Sequence, residues 1–369
     1  MEPTRILILG GTGYTGRLIA RHLLEQTGVK VTIAARGVEK AQALAGRLNQ
    51  EFPGRAAAMQ ADAASPDSLR SAFTNHALAV IASPTSAHVE TAARAALETG
   101  TDYLDVQFSA SKLKVLQSMI PEIEAAGRCF ITEAGFHPGL PSALVRLAAL
   151  RMDEITNAAT VGYLNMGKGL PFTEAVDELM ESFKKYQGQV YKDGRWTNPN
   201  SYQLRKINFG NDIGRKLCYS MFLEEMRALP ELFPSLREAG FYISESHWIT
   251  DWVIMPVVWL WLAVMPKALR PIGRFLWWGM GTFHQPPYRV ELQIHAKGMK
   301  AGRPVDFQGS VSHPDGYELT AIPVVAALQQ YLDGSARKPG LWMMGHLVDP
   351  ARLMADMQSM GVKVSTREG

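Results

Sequence analysis

Residues Gly10-Gly11-Thr12-Gly13-Tyr14-Thr15-Gly16 are spaced to hold a phosphate. Gly11, Gly13 and Gly16 fit G-x-G-x-x-G, and Gly10, Gly13 and Gly16 fit G-x-x-G-x-x-G. Glycine at such points lets a turn tighten, lets the backbone approach a pyrophosphate, and lets a helix pack closely on a strand. Context gives the motif its weight. An apolar run at 6–9 precedes it, and Leu18, Ile19 and Leu23 follow at helical spacing. A pyrophosphate would then sit at the helix N-terminus, and the competing reading is an empty turn between strand and helix.

The end of the next apolar run indicates which dinucleotide is bound. NAD sites place an acid there for the ribose 2′-hydroxyl, whereas this chain has Ala35-Arg36, with Lys40 one helical turn further on. An arginine fork suits a 2′-phosphate, so NADP(H) is expected. Asp62, followed by Ala63, is placed for the adenine edge, and Ser83, Pro84 and Thr85 for the nicotinamide side. Asp105, Val106 and Gln107 end a neighbouring strand, where Asp105 could bind the cofactor's amide.

The residues 130–141, FITEAGFHPGLP, start as a buried strand and break through Gly135, Pro138, Gly139 and Pro141 around a lone histidine. His137 could donate a proton opposite the hydride acceptor or orient a carbonyl, with Asp105 orienting the imidazole and Glu133 a further candidate. Against this stands a ring that only ties down a turn. A Tyr-x-x-x-Lys pair occurs at Tyr202 and Lys206, but its surroundings read as a strand, which would separate the two by about 13 Å. It is taken as coincidence. The histidines are dispersed with no partner at ligand spacing, and Cys129 and Cys218 form no CxxC, so neither metal nor disulfide is indicated.

These residues need a frame that brings strand ends to one edge. Apolar runs at 6–9, 30–35, 57–60, 77–82, 102–106 and 128–133 alternate with helical patterns at 16–24, 38–48, 68–73, 88–98 and 112–126. That is α/β: a Rossmann-type, doubly wound parallel sheet over residues 1–147. From 148 to 319 the rhythm becomes mixed, with a helix over 173–186, a tight Asp193-Gly194 turn, and strands at 288–297 and 304–313. This reads as a second, α+β domain for substrate and dimerisation. Residues 320–369 read as a closing helical segment that packs back on the Rossmann domain, with helices at 322–332 and 350–360.

Residues 252–283, WVIMPVVWLWLAVMPKALRPIGRFLWWGMGTF, form an apolar insertion, and six of the eight tryptophans lie between 248 and 278. Its first apolar run is shorter than the roughly 20 residues a bilayer span needs. Three readings stay open: an anchor dipping into one leaflet, a dimer interface, or the wall of an apolar substrate pocket.

With 47% hydrophobic and 20% charged residues among 369, the composition is that of a globular chain long enough for two domains. The formal charge of +3 is spread over interspersed acids and bases, so nucleic acid is not an expected partner. The N-terminal apolar run turns into glycines too soon for a signal peptide, and a cytoplasmic protein is expected, with membrane contact on that face if the insertion is an anchor.

With GGTGYTG, Arg36, Asp62, the run ETGTDYLDV and the turn GFHPGLP, the chain resembles the saccharopine dehydrogenase-like family of the saccharopine reductase type. The family's GTxYxD-like strand is matched by Gly100 to Asp105, and its G-x-D-P-G turn by Gly135 to Gly139. The resemblance implies an NADP(H)-binding Rossmann domain, a second α+β domain that often forms a dimer, and a substrate cleft between them. It further implies reduction of imines to opine-like amines, or of enoyl groups of lipids. His137 stands where the motif usually carries aspartate, so an ammonium group would lose its counter-charge and the saccharopine reaction itself is in doubt. The expected activity is hydride transfer to or from a C=N, C=O or C=C bond of a small, largely apolar molecule, with His137 and Asp105 at the reacting centre. The alternative is a non-catalytic NADP(H)-binding protein attached to a membrane or partner.

Overall fold

The computed structural model describes residues 3–166, 172, 174–184, 186–210, 212–244 and 247–369; Thr173 and Lys185, in the helix expected over 173–186, lie outside them. The chain divides into two compact units. One runs to Leu140 and resumes over Thr320–Met360, and the other comprises Pro141–Leu319 and Gly361–Gly369.

In the first unit, strands β1 (Arg5–Leu9), β2 (Lys30–Ala35), β3 (Ala56–Gln60), β4 (Leu78–Ile81), β5 (Asp102–Asp105) and β6 (Cys129–Thr132) alternate with helices α1 (Tyr14–Gln26), α2 (Val38–Glu51), α3 (Pro66–Phe73), α4 (Val89–Thr99) and α5 (Ala110–Ser118). The sheet runs β3-β2-β1-β4-β5-β6, and the late strand Gly340–Met343 adds beside β6. Every pair is parallel, so all C-terminal strand ends lie along one edge. The order reverses between β1 and β4, the switch point where sheets of this kind bind ligands. Helices on both faces explain why Ile6 to Leu9 and Leu78 to Ile81 are apolar without alternation and wholly buried. Ala92, Ala93, Ala95 and Ala96 of α4 pack in one cluster with Phe73, Tyr103 and Phe130.

Asp102, at the start of β5, fastens the returning chain. Its buried carboxylate accepts hydrogen bonds from the Cys129 N–H (3.0 Å), the Tyr331 hydroxyl (2.7 Å) and Arg337 Nε (2.9 Å). The closing helices are present as Glu318–Leu332 and Pro350–Ser359, but 320–369 is not wholly helical, because it also supplies one strand to each sheet. Gly340–Met343 is short and non-alternating, and Lys363–Glu368 is an exposed edge strand, so neither carries a clear period of two.

The second unit is a mixed sheet. Its strands are β7 (Glu154–Asn165), β8 (Tyr191–Lys192), β9 (Arg195–Trp196), β10 (Leu204–Asn208), β11 (Arg215–Met221), β12 (Glu238–Ser244), β13 (Arg289–Lys300) and β14 (Arg303–His313). They run β10-β11-β12-β7-β13-β14, ending on Lys363–Glu368, with β8 and β9 paired off β12. Among the described residues of this unit, only β7 and β12 pair in parallel. Asp193 and Gly194 take φ values of 52° and 78°, the two-residue turn that joins β8 to β9.

The apolar insertion folds as a π-helical turn, Thr250–Ile254, that runs into helix Met255–Val264, followed by helix Leu269–Phe283. Ile254, Val258, Leu262, Ile272 and Leu276 pack together with Met180 of helix Glu174–Lys184. Gly279 permits this approach, since a Cβ there would collide with the Ile254 side chain. No helix among the described residues is long and apolar enough to cross a membrane.

Candidate dinucleotide site

The glycine turn lies between β1 and α1 at the switch point. The Gly10 N–H donates to the Ala34 carbonyl (2.9 Å) and the Gly13 N–H to the Gly10 carbonyl (2.9 Å), curling the backbone over the strand ends. Gly10 takes φ +82°, and a Cβ there would lie 2.6 Å from the Ser83 Cβ; one on Gly16 would run into the Gly10 carbonyl. Helix α1 starts from Gly13 with no side-chain cap and no acid in its first turn, whereas Ser65 and Ser109 cap α3 and α5. The first turn of α1 thus carries no capping side chain, and the helix dipole favours an anion there. A pyrophosphate fits this cradle.

Arg36 and Lys40 are exposed, Arg36 just past the end of β2 and Lys40 in the first turn of α2. Asp62 follows β3, and its Oδ1 accepts the Ala64 N–H (3.0 Å) in a local turn, with Ala63 buried beneath. On the other side of β1, Gln107 is locked in place: its Nε2 donates to the Ser83 carbonyl (2.7 Å) and to Thr85 Oγ1 (3.1 Å). A carbonyl can only accept, so the amide orientation is settled, and the buried Gln107 Oε1 is left without a partner among the described residues. Such an acceptor suits an amide N–H of the cofactor. Val106 is tied to β4 through its N–H and the Ile81 carbonyl (3.2 Å), and Pro84 is exposed beside Ser83.

Asp105 was expected to orient His137 or to hold the cofactor's amide. Its carboxylate has protein partners on both oxygens. Lys112 Nζ donates to Asp105 Oδ1 (2.6 Å), to the Gln107 carbonyl (2.6 Å) and to Thr132 Oγ1 (2.8 Å), and the Thr132 hydroxyl donates to Asp105 Oδ2 (2.8 Å). The N–H groups of Gln107 and Glu133 also point at Oδ1 (3.3 Å each). Asp105 therefore ties the ends of β5 and β6 to α5. Lys112 and Thr132 carried no sequence signal, because a lysine in a helix's first turn reads as solvated.

The turn after β6 is shaped by Gly135 (φ +149°) and Gly139 (φ +120°). A Cβ on Gly139 would lie 2.8 Å from the Gly135 backbone and from Met344 Cε. Glu133 is buried at its start with φ 55°. The His137 ring meets Phe136 edge-on, with centroids 4.8 Å apart, and its Nδ1 is buried. Burial pushes its pKa down to about 4, so at neutral pH the imidazole is uncharged.

Tyr202 and Lys206 sit in and before the strand Leu204–Asn208, not on a helix, so the lysine is not a turn away from the tyrosine. Cys129 and Cys218 are buried free thiols, and burial pushes the Cys129 thiol up to about 11. No group of three or more metal-ligating side chains occurs among the described residues.

Residues 6–128 match the family model of the saccharopine dehydrogenase NADP binding domain. None of the curated proteins matches the chain. Among solved structures, apo saccharopine dehydrogenase (L-Glu forming) from Saccharomyces cerevisiae superposes with a TM-score of 0.70 at 14% identity, covering 99% of this chain and 100% of that one. A meso-dapdh mutant with DAP from Clostridium tetani E88 gives 0.47 at 10% identity, covering 95% of each chain. A dehydrogenase from Chromobacterium violaceum gives 0.46 at 11%, covering 97% of this chain and 93% of that one. At such identities the yeast likeness is one of fold. Residues 6–128 are thus similar to the NADP binding domain of saccharopine dehydrogenases, and NADP(H) is the cofactor.

Proposed function

We propose that the chain is an NADP(H)-dependent oxidoreductase that moves hydride to or from a C=N, C=O or C=C bond of a largely apolar small molecule. One observation carries this reading. The glycine turn, Ser83 with Thr85, Gln107 and His137 follow β1, β4, β5 and β6, which are consecutive neighbours in the sheet. The binding groups are thus arrayed along three strand spacings, about 14 Å, while Arg36 and Asp62 occupy the opposite side of β1.

NADP(H), when bound, supplies the hydride. The chain's residues would bind and orient. The cradle and α1 take the pyrophosphate, Arg36 and Lys40 the 2′-phosphate, and Gln107 Oε1 accepts from an amide. Neutral His137 can hydrogen-bond a substrate oxygen or nitrogen through one ring nitrogen, but an imidazolium is disfavoured there. An uncharged ring at this position also offers no counter-charge for an ammonium group, which supports a substrate other than an amino acid.

The test is turnover. NADPH oxidation is followed with a panel of aldehydes, enones and imines, and at least one class is expected to support it. Tight NADPH binding with no oxidation by any of them would replace this reading with a non-catalytic binding role.

A further inference from the structure

The apolar insertion holds together by its own inner face and leaves the other face bare. Ile254, Val258 and Leu262, four residues apart, are buried against the neighbouring helices. On the opposite side Val253, Val257, Leu260 and Val264 are 49%, 43%, 66% and 70% exposed. Trp248, Trp252, Trp259 and Trp278 are also exposed. Isolated apolar residues on a surface need no explanation, but a ridge of this kind marks a contact site. Lys267, Arg270 and Arg274 are exposed just beyond the ridge, and no acid occurs between Asp251 and Glu291.

We infer that this ridge docks on an anionic lipid membrane surface, lying in the plane of the interface without crossing it. Three features favour that occupant. The helices are too short to span, the tryptophans suit the headgroup boundary, and the three cations have anionic partners in lipid phosphates. A second copy of the chain fits less well. A two-fold contact sets the same patch against itself, opposing Lys267, Arg270 and Arg274 with their own kind and with no acid in the segment to answer them. The inference does not depend on the proposed reaction, since none of these residues lies in the unit that carries the dinucleotide site.

Flotation of the full chain with phosphatidylcholine vesicles, with and without phosphatidylglycerol, tests it. The protein should float with the anionic vesicles, with a blue shift in tryptophan emission and loss at high salt. The pair Lys267→Glu and Arg270→Glu should lower partitioning by about tenfold or more. The pair Leu260→Asp and Val264→Asp should abolish it, and both pairs should bind NADPH as the parent does, which shows that they fold. No flotation on anionic vesicles would overturn the inference, and so would variants that float like the parent. A vesicle-free dimer that Leu260→Asp and Val264→Asp convert to monomer, without flotation of the parent, would overturn it in favour of self-association.

Discussion

The Lys112 ammonium lies 2.6 Å from the Asp105 carboxylate, and both side chains are closed off from solvent. Desolvating two charges is expensive, and here Thr132, the Gln107 carbonyl and two backbone N–H groups complete their hydrogen bonding. The ion pair thereby sets the strand ends on which Gln107 and the His137 turn stand.

Removing one member should therefore cost more than removing both. Lys112→Met leaves a buried carboxylate uncompensated and should destabilise the chain by about 3–5 kcal/mol. The double variant Lys112→Met with Asp105→Asn should recover part of that loss. Urea unfolding of the two singles and the double measures the coupling, and additive losses would show that the pair does not act as a unit.

Arg36 should separate the two dinucleotides. Arg36→Ala is expected to weaken NADPH binding about 10- to 100-fold, the worth of charge-assisted hydrogen bonds to a phosphate, and to leave NADH nearly unchanged. Titration of both cofactors by fluorescence checks this. Equal losses for the two would place Arg36 away from the 2′-phosphate.

Glycines of the first unit should divide by what their Cβ would meet. Gly16→Ala brings a methyl into the Gly10 carbonyl and should abolish tight NADPH binding. Gly46, inside α2, faces open space, so Gly46→Ala should stabilise by about 0.5–1 kcal/mol with cofactor affinity intact. Thermal melts and cofactor titrations of the two variants report both effects.

His137 makes stability depend on pH in a stated direction. Its folded pKa, about 4, lies below the ordinary value of 6.5, so between these limits the unfolded chain binds a proton that the folded chain refuses. Stability should fall as pH drops from 6.5 to 4 and level off below. His76, His284 and His295, also lowered by burial, contribute in the same sense, so the measurement is the difference between the parent and His137→Asn. The variant's profile should be flatter across that window. If turnover is found, its rate should show no limb between pH 6 and 8 that His137→Asn removes.

The sequence by itself determined the first unit and its cofactor. Continuous apolar runs, glycines at phosphate-binding spacing and an arginine after the second strand are local signals, because each reflects what one strand end or one turn needs. Its six early strands and the glycine turn were therefore legible, as was the strand around Lys206. Tertiary structure alone decided what faces what. Lys112 reads as a surface lysine until β5, β6 and α5 enclose it with Asp105. The neutrality of His137 is likewise a matter of burial, a property of packing from several elements that no stretch of twelve residues encodes. The last strands stayed hidden for the same reason: Gly340–Met343 and Lys363–Glu368 are strands only because a sheet edge far away in sequence is there to pair with them.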